Sequence, residues 1–148
     1  MSQNITIRPI APGDRPAWQA LWTAYLEFYQ ATVPQEVYDT TFARLCSQDH
    51  PQQNGFLALH GDTPVGLVHY IYHAHNWRLE QVCYLQDLYT TPAVRGTGIG
   101  RKLIEAVYAQ ADADGRAAVY WLTQDFNTEA RKLYDRVATL TPFIKYAR

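Results

Sequence analysis

Apolar and polar residues alternate through Ile5, Thr6, Ile7 and Arg8, a period of two that predicts a strand over residues 4–10, ended by Pro9 and Pro12. The period then changes. Trp18, Leu21, Trp22, Tyr25, Leu26 and Tyr29 recur at helical spacing behind Asp14, a residue type suited to an N-cap, and the stripe is unusually aromatic. A second, shorter helix is expected from about Gln35 to Cys46, with Val37, Phe42 and Leu45 inward and Pro34 near its start. A Gly61-Asp62 turn joins residues 55–60 to 65–75 as a hairpin, and Asn76, Trp77 and Arg78 turn the chain into a further strand over 79–90. Helical spacing returns after Gly98 with Leu103, Ile104, Val107, Tyr108 and Ala111, and stops at Asp114-Gly115. Residues 117–123 run continuously apolar, as a strand buried on both faces does. A last helix starts near Asn127 and presents Ala130, Leu133, Tyr134 and Val137, and residues 143–146 predict a closing strand.

This order, β-α-α-β-β-β-α-β-α-β, implies a mixed sheet with helices on its faces, an α/β or α+β layer fold. The connection from 79–90 through the helix to 117–123 should be parallel and right-handed. With 148 residues and no repeat, linker or low-complexity run, the chain is expected to form one domain, residues 1–148. Composition narrows the function. Thirteen basic and fourteen acidic side chains give a net charge of −1, which disfavours nucleic acid as the main partner. Two cysteines, Cys46 and Cys83, make no disulfide framework, and neither an apolar leader nor a membrane span is evident, so a cytoplasmic location is expected.

The chemistry concentrates at residues 95–101, where three of the eight glycines fall within five positions between a strand and a helix. Gly96, Gly98 and Gly100 let the backbone turn sharply and gather N–H groups, and the helix start adds unpaired donors and the positive end of its dipole. Arg95 and Arg101 flank this nest, which suits a pyrophosphate. Both a Walker loop and a dinucleotide fingerprint require glycine five positions after Gly96, and position 101 is arginine.

Arg95, Gly98 and Gly100 instead fill an R-x-x-G-x-G pattern, and Asn127, Ala130, Leu133 and Tyr134 fill N-x-x-A-x-x-L-Y on the last helix. In these two elements the chain resembles the GNAT family of acetyl-CoA-dependent N-acetyltransferases. Asp87-Leu88-Tyr89, Tyr120-Trp121-Leu122-Thr123 and Phe143-Ile144-x-Tyr146 look most like bacterial relatives of its histone/polyamine acetyltransferase branch. Many members place Gly-Phe after the helix tyrosine, whereas here residues 135–142 intervene before Phe143. The resemblance implies a mostly antiparallel central sheet of about six to seven strands with about four helices. It also implies a homodimer, with the C-terminal strand shared across the interface.

Acetyl transfer to an amine requires a neutral amine, a donor for the developing oxyanion and a proton for the leaving thiolate. Deprotonating a lysine-like amine at pH 7 costs about 4–5 kcal/mol. Asp87, on the strand before the cradle, is the candidate catalytic group, and base, substrate anchor and structural role all stay open for it. By the resemblance, backbone N–H groups of Leu88, Tyr89 and Thr90 hold the thioester carbonyl, and Tyr134 protonates the thiolate. Thr97, Ile99 and the rest of the 95–101 loop take the cofactor phosphates, and Asn127, Ala130 and Lys132 contact the acetyl-CoA arm or its phosphates. Glu27 and Tyr29, at the end of the first helix, line the acceptor side together with Tyr25, and Tyr70, Tyr72 and Trp77 stand on the hairpin side. Aromatic rings with carboxylates suit a primary amine, either a polyamine-like molecule or a protein lysine. Neither cysteine has a paired base, which favours direct transfer over a covalent enzyme intermediate. His69, His73 and His75 share one strand face and are expected to be solvated, with no metal. The rival reading is a non-catalytic acyl-CoA-binding sensor or scaffold.

Overall fold

A computed structural model describes residues 4–148. Five strands form one sheet in the order β1 (Ile5–Pro9), β2 (Gln53–His60), β3 (Thr63–His73), β4 (Val82–Thr90) and β5 (Val119–Tyr120). The first four are antiparallel neighbours and β5 lies parallel to β4, the expected result of a helical crossover. Among the described residues, four α-helices complete the fold: α1 (Arg15–Phe28), α2 (Gln35–Leu45), α3 (Ile99–Ala113) and α4 (Thr128–Val137). No helix among the described residues is long and apolar enough to cross a membrane.

Alternation along β2 and β3 divides the core between the two faces of the sheet. Leu57, Leu59 and Leu67 point to the α1/α2 side, where they meet Trp18, Leu21, Trp22 and Phe42. Phe56, Ala58, Val68, Tyr70 and Tyr72 point the other way, onto Ile99, Leu103, Ile104, Val107 and Ala111 of α3. Trp18 is fully buried; its ring stacks on Trp22 at 5.2 Å and meets Phe42 at 5.0 Å. Removing an aromatic buried to this degree costs about 3–5 kcal/mol, so the aromatic stripe of α1 is first a packing surface.

Three expectations need correction. The sheet has five strands, not six to seven, because residues 143–146 do not form a strand among the described residues and Phe143, Ile144 and Tyr146 are exposed. The apolar run 117–123 pairs with β4 only at Val119 and Tyr120; from Trp121 the chain diverges from β4 rather than continuing as a doubly buried strand. Asp14 does precede α1, yet its carboxylate makes no bond to that helix. It accepts the Ala11 N–H at 2.7 Å and two Arg8 guanidinium bonds at 2.8 Å, tying β1 to the turn that launches α1.

The Arg8 bonds hold the Asp14 carboxyl below its ordinary value against the opposing effect of burial. A carboxyl lowered in the folded state stabilises above its unfolded pKa, and that contribution disappears as pH falls through the folded value. Asp14→Asn is therefore expected to lose about 1 kcal/mol at pH 7, with the gap to wild type closing in acid, as read by urea unfolding at several pH values.

Candidate active site

The β4–β5 divergence creates the site. Beyond Cys83 and Tyr84, β4 continues to Thr90 with β3 on one side and, among the described residues, no strand on the other, so Leu88, Tyr89 and Thr90 border an open slot. At the far end of that slot the chain makes a short 3-10 turn (Pro92–Val94) and enters the glycine loop. Gly96 and Gly98 have φ of +81° and +87°, a region that side chains with a Cβ avoid. Among the described residues, no group accepts the backbone N–H of Gly96, Gly98, Ile99, Gly100 or Arg101; the helix ladder of α3 begins only at Lys102, which donates to Gly98 O at 3.0 Å. Five unpaired donors at one helix start form an anion cradle.

Side chains around the cradle differ in their freedom. Arg95 donates to Thr90 O at 3.1 Å and lies 5.5 Å over the Tyr89 ring, so it bridges strand end and loop. Arg101 is half exposed beside Glu105 at 3.6 Å, and Thr97 bonds back to Val94 O. Helix α4 leans on the start of α3, where a Cβ at Gly100 would stand 3.5 Å from Leu133 Cδ2. Asn127 caps α4 by position and reaches Thr123 Oγ1 at 3.4 Å, and Ala130 is half-buried one turn on. Lys132 faces solvent and pairs with Glu129 at 2.9 Å, so the structure does not bring it to the cradle. Tyr134 sits against Trp121 at 5.4 Å, and its hydroxyl is pushed up to about 12, by burial first and by neighbouring Tyr29 second.

Asp87 lies where β4 carries one residue more than β3: Tyr70 pairs with Leu85 but His69 pairs with Asp87, leaving Gln86 as a bulge. This shift turns Asp87 onto the α1 side, where it is 8% exposed. Its Oδ2 accepts His69 Nδ1 at 2.8 Å and Trp22 Nε1 at 3.2 Å. Three tyrosines ring the carboxylate. Burial and then the Asp87 charge raise the hydroxyls of Tyr25, Tyr29 and Tyr84 above their ordinary value, so each holds its proton firmly. Tyr29 is also close enough to Tyr134 to help raise the latter's hydroxyl.

Several sequence expectations land elsewhere. Glu27 is on the outer face of α1, in a shallow groove with Gln19, Thr23 and Ala24, away from Asp87. Helical phase explains this: Trp18, Trp22, Tyr25 and Tyr29 share the inward stripe that Glu27 leaves. Tyr70 and Tyr72 belong to the α3 side of the core, and Trp77 is 86% exposed. His69, expected to be solvated, is 4% exposed between Trp18 and Asp87, because its strand face is covered by α1. His73 donates to or accepts from the Tyr120 hydroxyl at 2.8 Å, and Tyr120 stacks on Tyr84 at 4.9 Å. Sequence reasoning missed His69 and Tyr84 as site residues; the Trp18–Trp22 spacing was visible, but not the register that places His69 opposite Asp87. Cys83, at the closed end of the slot, is fully buried with its thiol pushed up to about 12 by burial and then Asp114. No three His, Cys, Asp or Glu side chains among the described residues converge as metal ligands.

Comparison with known proteins agrees with this geometry. Residues 18–138 match the model of the acetyltransferase (GNAT) family. The D-amino-acid N-acetyltransferase HPA3 of Saccharomyces cerevisiae is 41% identical over 152 aligned residues, covering 100% of this chain and 92% of the yeast protein. A thialysine N-epsilon-acetyltransferase of Caenorhabditis elegans is 32% identical over 84 residues, 57% of this chain and 52% of that one. Both are eukaryotic, so the likeness is not confined to bacterial relatives. Among solved structures, an aminoglycoside N-acetyltransferase in complex with CoA superposes with a TM-score of 0.85 over 100% of this chain and 96% of its own, at 16% identity, a likeness of fold. A matched family model over most of the chain and a full-length relative lead to one conclusion: the protein belongs to the GNAT family and is an acetyltransferase.

Proposed function

We propose that the protein transfers the acetyl group of acetyl-CoA directly to a primary amine held at Asp87. The observation that carries this reading is the open slot beside Leu88, Tyr89 and Thr90, running from five unpaired N–H donors to the Asp87–tyrosine cluster. The cradle residues Arg95, Gly96, Thr97, Gly98, Ile99, Gly100 and Arg101 suit a pyrophosphate, and Asn127 and Ala130 flank the arm that leads from it. Acetyl-CoA supplies the thioester. The chain's own groups supply the rest.

Asp87 presents a carboxylate whose Oδ2 already takes two N–H bonds, which favours the anchor role: Oδ1 faces an incoming ammonium while Tyr25, Tyr29 and Tyr84 surround it. The ammonium proton leaves to water before attack, and the amine nitrogen forms the C–N bond as the C–S bond breaks. Backbone N–H groups on the open edge of β4, within the stretch Leu88 to Thr90, steady the carbonyl oxygen as it gains charge. Tyr134, protonated throughout the neutral range, gives its proton to the departing sulfur and is restored, through solvent, by the second proton that the nitrogen sheds as it becomes an amide. The relatives' names cover amino-acid and thialysine amines, so amino acids join polyamines and lysine peptides as acceptors to try. A cytoplasmic homodimer fits the same reading: Leu140, Phe143, Ile144 and Tyr146, 71–89% exposed, follow α4 toward the unpaired edge of β5, an apolar segment suited to a second copy.

Release of CoA thiol from acetyl-CoA, measured against polyamines, D- and L-amino acids, aminoglycosides and lysine peptides, tests the activity. Turnover with one amine class is expected; CoA binding with no turnover on any of them would favour a sensor or scaffold. Gly98→Val, forced into a left-handed φ at the cradle mouth, is expected to weaken CoA binding at least about tenfold by calorimetry. Unchanged affinity there would remove the cradle assignment. Tyr134→Phe should spare CoA binding and slow turnover about a hundredfold, and because burial pushes the hydroxyl up to about 12, the wild-type to variant rate ratio should stay level up to about pH 10. Asp87→Asn is expected to cut kcat/KM for the amine about a hundredfold with acetyl-CoA affinity unchanged, read from initial rates and equilibrium binding.

A further inference from the structure

The carboxylate on which the proposed acceptor site rests is held through a buried relay whose protonation is fixed by geometry. Trp18 Nε1 lies 2.9 Å from His69 Nε2. An indole nitrogen only donates, so His69 Nε2 must be the acceptor, and the proton of the neutral ring resides on Nδ1. That Nδ1–H points at Asp87 Oδ2, 2.8 Å away. One helical turn beyond Trp18, Trp22 donates to the same oxygen at 3.2 Å. None of the four residues exceeds 8% exposure, so water does not substitute for any of these bonds cheaply. In the opposite tautomer, His69 would set one N–H against the Trp18 N–H and a lone pair against Oδ2, two repulsive contacts in a dry site.

We propose that Trp18 and His69 are positioning residues for acyl transfer: by locking the His69 tautomer they hold the Asp87 carboxylate in place with its Oδ1 aimed at the acceptor amine. The inference rests on the reading of Asp87 as the amine anchor. It gives the α1 stripe two duties at once. The rings of Trp18 and Trp22 fill the core, and their N–H groups, four residues apart, reach one carboxylate, directly from Trp22 and through imidazole from Trp18. His69, on β3, links the helix to β4 by one bond from each ring nitrogen.

Substitutions separate this role from mere packing. Trp18→Phe keeps a ring and removes the donor. His69→Gln keeps one donor and one acceptor, whereas His69→Leu keeps bulk without either. Trp18→Phe and His69→Leu are expected to lower kcat/KM for the fastest amine at least about tenfold, with acetyl-CoA affinity within about twofold of wild type, and His69→Gln to recover most of the loss. The unchanged acetyl-CoA affinity serves as the measure of folding for each variant. Nitrogen-15 NMR of the imidazole needs no acceptor: His69 should show the Nδ1–H form in the wild type and a tautomer mixture in Trp18→Phe. An Nε2–H form in the wild type, or wild-type amine kinetics in His69→Leu, overturns the proposal. So does an equal loss in the Gln and Leu variants that tracks the fraction folded. Asp87→Asn, assayed alongside, separates the two levels: full activity there removes the anchor and this relay with it, while an inactive Asp87→Asn beside a fully active His69→Leu removes the relay alone.

Discussion

Opposite the step from His69 to Tyr70, β4 takes one residue more than its partner, and much of the site follows from that bulge. Without the extra residue, Gln86 would occupy the α1 side and Asp87 would point into the apolar layer under α3. With it, Asp87 shares a face with His69 and Tyr84, below the indoles of α1. A bulge also adds local twist to its strand. In β4 it lies just past the last residues paired with β5, where the two strands part. One irregularity in the hydrogen-bond ladder thus accompanies both the carboxylate's placement and the slot that leads to it.

The cost of a buried carboxylate is met locally. A lone carboxylate in an apolar layer is expensive, and this one is surrounded by N–H and O–H groups from three elements: α1, β3 and β4 itself. The helix supplying most of them is anchored from its other end, where Arg8, Asp14 and Ala11 fix the turn before α1. The orientation of Trp22 toward Asp87 depends on where that helix begins, so an ion pair remote from the slot bears on its geometry.

Much of this was legible in the amino-acid sequence because it is local. The four helices, the hairpin and the glycine cradle each follow from periodicity or from residues close along the chain. The N-x-x-A-x-x-L-Y pattern likewise marks α4, whose Leu133 meets Gly100. What escaped reading depends on register and on divergence between segments. Nothing near Gln86 signals a bulge, since neither glycine nor proline stands there, so His69 could not be set against Asp87. The run 117–123 is as apolar as a paired strand, and its departure from β4 after Tyr120 leaves no trace in composition. Glu27 lies in the helix end that the family resemblance assigns to the acceptor, and the hundred-degree step per residue turns it outward.

Cys83 stands at the closed end of the slot, fully buried and with its thiol pushed up to about 12. An enzyme of this class meets a reactive thioester and a free thiol as part of ordinary work. Any accessible thiolate on its own chain would be open to acylation by the first and mixed-disulfide formation with the second. Burial keeps Cys83 a neutral thiol, one strand position from Tyr84 and outside both reactions. The core that shapes the slot therefore also withholds Cys83 from both kinds of thiol chemistry.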